Sequence, residues 1–593
     1  MAEKVSGKKI FDWYHILLAV IILAQMLFVT YMFNEYKMGY HSDEIFNYGF
    51  ANSYDRKEIY IDDNGEEIYN KWLPTTVLTN YITVQEGERF AYDKVYAHAA
   101  ADINPPFQLF VLHTICSFFP NVYSKWFCFS INIVSLGISL IYIHKSVELI
   151  SKSKVAAFGA VLLYGFSAGA QSVTVFLRLY ALGVMFGTAF FYYSAAIYEN
   201  INDEEKKNKY YIRLGVSLLL GAFTLHFFLP FAFAITFCYT VMYLIKRQFK
   251  VFFKYGFTCL GAVIASIVIF PSTISHLFYS SDNLGGNIYG YPFNMQVRLF
   301  VHYLVKDILG VLTDYMRSPN IVTPIVVMLF GLSFAVPICF LLRKEKWFDK
   351  SASYVKEKLV GAIKKAEYFS YSTFVALFTI VFIVCISAKT TSFYRMGGYG
   401  VRYLFVIYPV CIIFVSTFIY YFVCLWVNSK MCLRIAYMLP IVVFVSLSSI
   451  NNSYMFYMIH DEMGTTLKDI QPKANTIILL AEYWVISTLA PDMGNVDGQF
   501  YAVNLTDLED QKYTINNSEV IYLVMDTTYI EDGIDEKDFG NMGEESFSDN
   551  QVYNVPSREE IIDFYKRNLT SSNIYKVGED EVFGRTFEIY RVD

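Results

Sequence analysis

Two adjacent carboxylates, Asp43 and Glu44, stand a few residues beyond an uncharged apolar run at 13–33. That run is long enough to cross a bilayer. Lys4, Lys8 and Lys9 precede it, which places its start on the cytoplasmic side and the two acids just past the outer surface. A carboxylate there can act as a general base on a substrate held in the lipid, although the pair by itself reads equally well as a solvated loop. Other polar residues fall at the outer ends of later apolar runs: Asp102, Asn104, Arg178, Tyr180, His226, His276, Arg395, Arg402 and Tyr403. Charges kept at membrane depth are costly, so these form the candidate site. The competing reading of each is an interfacial side chain whose charged head reaches water. The arginines suit a phosphate, because the planar guanidinium makes bidentate contacts.

The elements that must position these residues follow from hydropathy and charge. The chain of 593 residues is 55% hydrophobic and 18% aromatic, with mean hydropathy +0.35. This excludes an ordinary soluble enzyme and fits a protein rich in membrane interface. Eleven spans are expected, near 13–33, 124–144, 155–172, 179–197, 211–227, 229–245, 255–271, 321–342, 368–388, 402–426 and 433–450. The stretch 105–119, opened by Pro105-Pro106, is too short for a span and is expected to lie at the outer interface. Counting it as a span would invert every later loop and put the lysine-rich loops outside. The segment 297–317, with Arg298, His302, Lys306, Asp307 and Asp314, reads as an outer amphipathic helix.

The expected architecture is an α-helical polytopic membrane domain over 1–452, including a long outer loop at 34–123, and an extracytoplasmic α/β domain over 453–593. The last 133 residues hold 27 acidic and 10 basic side chains, so the first 460 are basic by 11 within a chain of net charge −6. In the tail, Thr476–Leu480, Phe500–Asn504 and Val520–Met525 read as strands, with a helix near Glu482–Leu489. Ser557-Arg558-Glu559-Glu560 is a capping box for a helix to about Asn568, and Val582–Tyr590 reads as a closing strand. The nine cysteines lie in or beside apolar runs, with no CxxC or zinc spacing. Basic residues are scattered among short loops, so nucleic acid is not a partner. There is no phosphate-binding glycine loop, dinucleotide fingerprint or Gly-x-Ser-x-Gly. A hard cation would find only Asp43, Glu44 and Asp102 as ligands, so no cofactor is expected, with a divalent cation on these carboxylates as the alternative.

The order of these motifs resembles the GT-C superfamily of polytopic glycosyltransferases, which includes protein O-mannosyltransferases and aminoarabinose transferases, over about residues 10–450. Asp43-Glu44 corresponds to the acidic motif after the first span. Asp102-Ile103-Asn104-Pro105-Pro106-Phe107 looks like the family's Asp-x-His-Pro-Pro-Leu, with Asn104 in place of the histidine. Arg178-Leu179-Tyr180-Ala181-Leu182, Thr224-Leu225-His226-Phe227 and Arg402-Tyr403-Leu404 are similar to three further family segments. The family's occasional Asp shortly after the first of these arginines is absent here. The resemblance implies inverting transfer of a sugar from a polyprenyl-phosphate donor to a glycan, lipid or protein acceptor, on the outer face of a bacterial plasma membrane. It also implies Asp43 as general base, with Glu44 beside it. Donor phosphate would fall to Arg402, Arg178 and Arg395 with Tyr403 and Tyr180, and the remaining substrate to Asp102, Asn104, His226 and His276. The alternatives are a polytopic transporter or lipid-glycan flippase, and a scaffold displaying the acidic tail. A transporter would place ionisable residues mid-span and show half-sequence symmetry. The charges here gather at span ends.

Overall fold

The computed structural model describes residues 13–55, 58–61, 65–200, 204–278, 293–309, 370–390, 397–426, 430–450, 454–458, 462–471, 473–480, 483–493, 497–505, 520–527, 530, 556–569, 573–582 and 585–593. The first apolar run is helix α1 (Trp13–Tyr36). It buries only Leu18, Ile22, Gln25, Val29, Met32 and Phe33. The spacing of three or four residues makes a single stripe facing the bundle, and Leu17, Val20, Leu23 and Leu27 are exposed on the rest of the helix. A five-residue connection leads to α2 (Ser42–Asn52), which carries both acids in its first turn. The strand β1 (Trp72–Pro74) and helices α3 (Thr76–Ile82), α4 (Tyr92–Ala101) and α5 (Phe107–Ser117) follow. The helix α5 begins directly after Pro106, as the proline pair predicts.

The membrane part continues with α6 (Lys125–Ser151), α7 (Lys154–Gly165), α8 (Ala168–Val175), α9 (Tyr180–Glu199), α10 (Glu204–Ala222), α11 (Phe228–Ile245), α12 (Phe249–Ile269), α13 (Ser272–Phe278), α14 (Phe293–Leu309), α15 (Tyr371–Thr390), a 3₁₀ segment (Gly397–Ile407), α16 (Tyr408–Trp426) and α17 (Lys430–Ile450). Among the described residues seven helices are long and apolar enough to cross a membrane, or eight if the bent pair α7–α8 is one span. The chain is a multi-pass membrane protein. The expected span 155–172 is broken by a 56° bend, where the Ser167 hydroxyl caps α8 by accepting from the Ala170 amide. The helix α17 covers the expected span 433–450, whereas α10, where the span 211–227 is expected, is not apolar along its length. It opens with Glu204-Glu205-Lys206-Lys207 and ends at Ala222. The expected span 321–342 lies outside the described residues. The helix α14 buries Val297, Phe300, Leu304 and Ile308 but also Gln296, His302 and Asp307, and Asp307 accepts from the Tyr408 hydroxyl. It packs inside the bundle and is not the outer amphipathic helix expected over 297–317, whose residues 310–317 lie outside the described residues.

The tail builds strands β2 (Glu462–Gly464) and β3 (Asn475–Leu480), helix α18 (Ile486–Met493), strands β4 (Gln499–Asn504) and β5 (Val520–Asp526), helix α19 (Arg558–Asn568), and strands β6 (Ile574–Val582) and β7 (Arg585–Val592). They form one mixed sheet of order β1-β4-β3-β5-β7-β6-β2. The pairs β3–β4 and β3–β5 are parallel, and the remaining pairs are antiparallel. Side chains alternate across the sheet. Ile478, Leu480, Ala502 and Val524 join the core of the membrane part, while Ile477, Leu479, Val503 and Leu523 lie under Ile561 and Tyr565 of α19. Two sequence expectations change. The closing strand is the second of an antiparallel pair, because β6 ends at Val582 and β7 opens at Arg585, which pairs with it. The edge strand β1 comes from the loop at 34–123, far from the tail in sequence, and pairs Trp72, Leu73 and Pro74 with Tyr501, Phe500 and Gln499.

Gly49 fixes how closely α2 meets α3. A Cβ there would stand 2.0 Å from the ring of Tyr81, which is fully buried. Replacing it, Gly49→Ala, should cost about 1–3 kcal/mol through overpacking. A thermal melt of the purified protein in detergent should show a lowered midpoint, and an unchanged midpoint would mean that α3 can retreat.

Candidate active site

The site is assembled around Glu44. Its side chain is fully buried, paired with the equally buried Lys37 at 2.7 Å. Lys37 donates to both Glu44 oxygens, at 2.8 and 2.7 Å, and to the Phe456 carbonyl at 3.0 Å. Glu44 also accepts from the backbone amides of His41 at 2.8 Å and Leu177 at 2.7 Å. Burial pulls Lys37 below the ordinary lysine value, and the coulombic pull of Glu44 opposes it. Four segments meet here: the exit of α1, the start of α2, the loop between α8 and α9, and the chain entering the tail. That last segment is further tied by the amides of Met38 and Gly39, which donate to the Tyr457 and Met458 carbonyls.

The loop before α9 is held from two more sides. Asn132 of α6 donates to the Thr174 and Phe176 carbonyls at 3.0 and 2.8 Å, and Asn47 of α2 donates to the Leu177 carbonyl at 3.3 Å. These bonds aim Arg178, which is buried, at the N-terminal turn of α2. There it donates to the Asp43 backbone carbonyl at 2.8 Å. The buried Arg178 Nε has no hydrogen-bond partner. From the 3₁₀ segment, Arg402 brings Nη1 to 3.1 Å from Asp43 Oδ2, and the Asp43 side chain stays 29% exposed. Asp43 is thus an accessible carboxylate between two guanidinium groups. Burial pushes its carboxyl up, but Arg178 and Arg402 outweigh that and hold it well below the usual carboxylate range. Tyr180 stacks on Phe176 at 5.6 Å between ring centres. The Arg402 guanidinium lies 5.6 Å from the centre of the Tyr403 ring.

His41 caps α2. Its Nδ1 accepts from the Asp43 amide at 3.0 Å, so that nitrogen is bare and the ring proton sits on Nε2. The 3.9 Å approach of Nδ1 to Asp43 Oδ2 is therefore not an ion pair. The ring meets Tyr399 and Phe176 edge-on. Burial lowers His41 to about 3; Asp43 opposes this, and Arg402 and Arg178 reinforce it.

A second group lies beside the first. His226, in the turn between α10 and α11, and His276 of α13 are 3.3 Å apart, Nε2 to Nδ1, and His276 Nε2 meets the Ala100 carbonyl at 3.2 Å. Burial, with His276 adding to it, lowers His226 to about 3. Asn104 donates to Asp102 Oδ2 at 2.8 Å just beyond α4. The two groups are joined through rings, since Phe227 stands 5.5 Å from Tyr403.

The structure thus brings Asp43, Arg402, Arg178, Tyr180 and Tyr403 together, links the His226–His276 pair to them through Phe227, and leaves Asp102 and Asn104 bonded to each other at the end of α4. Arg395 lies outside the described residues. Glu44, expected to position Asp43 or to bind the acceptor, spends its oxygens on Lys37 and two backbone amides. Among the described residues no three His, Cys, Asp or Glu side chains gather closely enough to hold a metal ion. Sequence reasoning missed Lys37, His41, Asn47 and Asn132. For His41 a signal was present: a polar residue three positions before Glu44 is a capping-box pattern.

Two measurements follow from this geometry. Lys37→Met strands a buried carboxylate and should cost about 3–5 kcal/mol, most of it recovered when Glu44→Gln is added. Unfolding of the two single variants and the double variant tests that, and an additive double variant would break the clamp argument. The second concerns pH. An unfolded histidine takes its proton near pH 6.5, whereas folded His41 stays neutral down to about 3. The unfolded state therefore binds more protons as pH falls below 6.5, and stability is lost progressively toward pH 3. His41→Asn keeps a capping side chain and should flatten the fall in melting midpoint between pH 7 and pH 5. His226 should leave a residual slope of the same sign.

No protein-family model matches the sequence, and no curated protein matches it. Solved structures similar to this chain include ArnT from Cupriavidus metallidurans bound to undecaprenyl phosphate, with TM-score 0.49, 9% identity, and 96% of this chain and 97% of that chain covered. The same protein in the apo state gives TM-score 0.48 and 8% identity over the same shares. The archaeal oligosaccharyltransferase AglB from Archaeoglobus fulgidus, in complex with an inhibitory peptide and a dolichol-phosphate, gives TM-score 0.43 and 10% identity, with 87% of this chain and 70% of that chain covered.

Proposed function

We propose that the protein is a membrane glycosyltransferase that moves a sugar from a polyprenyl-phosphate donor to an acceptor hydroxyl at the membrane face carrying Asp43. The observation that carries this reading is the partly exposed Asp43 carboxylate, 3.1 Å from Arg402 and bound through its own backbone to Arg178. One site then offers a proton acceptor and two guanidinium groups for a phosphate. The acceptor oxygen attacks the anomeric carbon, and the bond from that carbon to the phosphate oxygen breaks. The electron pair leaves with polyprenyl phosphate, and the hydroxyl proton passes to Asp43. A single displacement inverts the anomeric centre. The leaving phosphate already carries charge and needs no protonation, so one base suffices.

Arg402 and Arg178, with Tyr403 and Tyr180, meet the donor phosphate, where developing charge is stabilised by donors already in place. In the empty site these arginines face Asp43 and depress its basicity. A bound phosphate draws their charge away and returns proton affinity to the carboxylate. The transition state is oxocarbenium-like, so proton transfer is late and a weak base serves. His226, His276, Asp102 and Asn104 contact the sugar or acceptor. Glu44 positions Asp43 through α2 and Lys37 and does not react. This orientation puts the Asp43 face and the tail outside a bacterial plasma membrane.

The test compares wild type with Asp43→Asn in nanodiscs, offered a panel of radiolabelled polyprenyl-phosphate sugars. Turnover should fall by about 10²–10⁴-fold while donor binding is kept. Unchanged turnover would remove Asp43 as the base. Label carried across the membrane without release from the lipid would replace the transferase with a flippase.

A further inference from the structure

On the lipid-facing side, α10 and α12 run side by side in the same direction and leave a groove of about 350 Å³. Its floor is made of small side chains, Gly215, Thr258 and Ala262, and bulkier Ile212, Val216 and Leu219 rise along it. A Cβ on Gly215 would already touch Thr258 Cγ2 at 3.4 Å, so the groove owes its depth to that glycine. From Tyr211 to Leu219 it runs about 12 Å along α10, the length of a stretch of acyl chain. One end is basic. The Lys254 ammonium sits 4.7 Å over the ring of Tyr211, which lines the groove, and donates to Asn208 Oδ1 at 2.5 Å. Lys209, Arg213 and Lys250 are exposed on the same ends of the two helices. Glu204 and Glu205 come about a turn earlier in α10. The other end of α10 leads to the turn bearing His226, so the groove's basic mouth opens on the membrane face away from Asp43.

We propose that this groove is a binding site for an anionic glycerophospholipid of the surrounding bilayer, with one acyl chain lying over Gly215 and the phosphate at Lys254 and its basic neighbours. An apolar flank alone would accept any lipid. Two features make this one selective: a shallow depression floored by small side chains, and a cluster of cations where the headgroup of a chain lying in it must fall. The site is independent of the reaction assigned to Asp43.

The test uses delipidated full-length protein in detergent, offered phosphatidylglycerol or phosphatidylcholine with identical acyl chains, and reads retained lipid by native mass spectrometry. Wild type should retain phosphatidylglycerol at least about tenfold better. Gly215→Leu, which fills the floor, should lose that retention. The exposed pair Lys254→Ala with Arg213→Ala should bring phosphatidylglycerol down to the phosphatidylcholine level, and keeps the test decisive should Gly215→Leu fail to fold. Equal retention of the two lipids by wild type would overturn the proposal. So would undiminished phosphatidylglycerol binding by folded Gly215→Leu, or a lipid-insensitive dimer that covers the groove.

Discussion

The Lys37–Glu44 pair is the constraint on which the site depends. Both side chains are withdrawn from water, and removing two charges from water is expensive unless every remaining donor and acceptor is satisfied. Here the three ammonium protons go to Glu44 and Phe456, and the carboxylate also takes two backbone amides. A pair so completely bonded specifies a geometry more than it adds stability. It fixes the angle at which α2 leaves α1, and so where Asp43 stands.

Around that anchor the electrostatics divide the two acids into separate tasks. Neighbours in sequence, Asp43 and Glu44 point to different surroundings because successive helical residues are turned about 100° apart. Glu44 faces a lysine in the interior. Asp43 faces two arginines at a partly open surface, and those arginines come from segments far away in the chain. Arg178 is aimed by a loop that Asn47 and Asn132 hold by its carbonyls, and Arg402 by the 3₁₀ segment that opens into α16. Arg178 is useful only because the backbone presenting it has been fixed by the Asn47 and Asn132 side chains.

The tail sheet extends the same logic beyond the membrane part. One face of its strands shares a core with the bundle, and its edge is closed by Trp72–Pro74 from the loop that follows α2. The helix α18 packs against α2 and α3. The sheet is therefore a wall of the region around Asp43 and not an appendage, which a boundary drawn near residue 453 on composition alone does not convey.

The sequence by itself determined what hydropathy, charge and local capping can write into a contiguous stretch. It placed α1, the short helix after Pro105-Pro106, three central strands of the tail and the capped helix from Ser557. It also picked out Asp43, Arg178 and Arg402, because charges at the ends of apolar runs are costly enough to mark themselves. Tertiary structure alone decided the rest. The bend at Ser167 comes from a cap inside an apolar run, which hydropathy averages away. The strand at Trp72 is only three residues long and has no partner until β4 exists. Lys37 looks like an ordinary juxtamembrane lysine until its carboxylate is known to be buried beside it. Long-range pairing of this kind has no local signature, since the free energy that fixes it belongs to contacts between segments hundreds of residues apart.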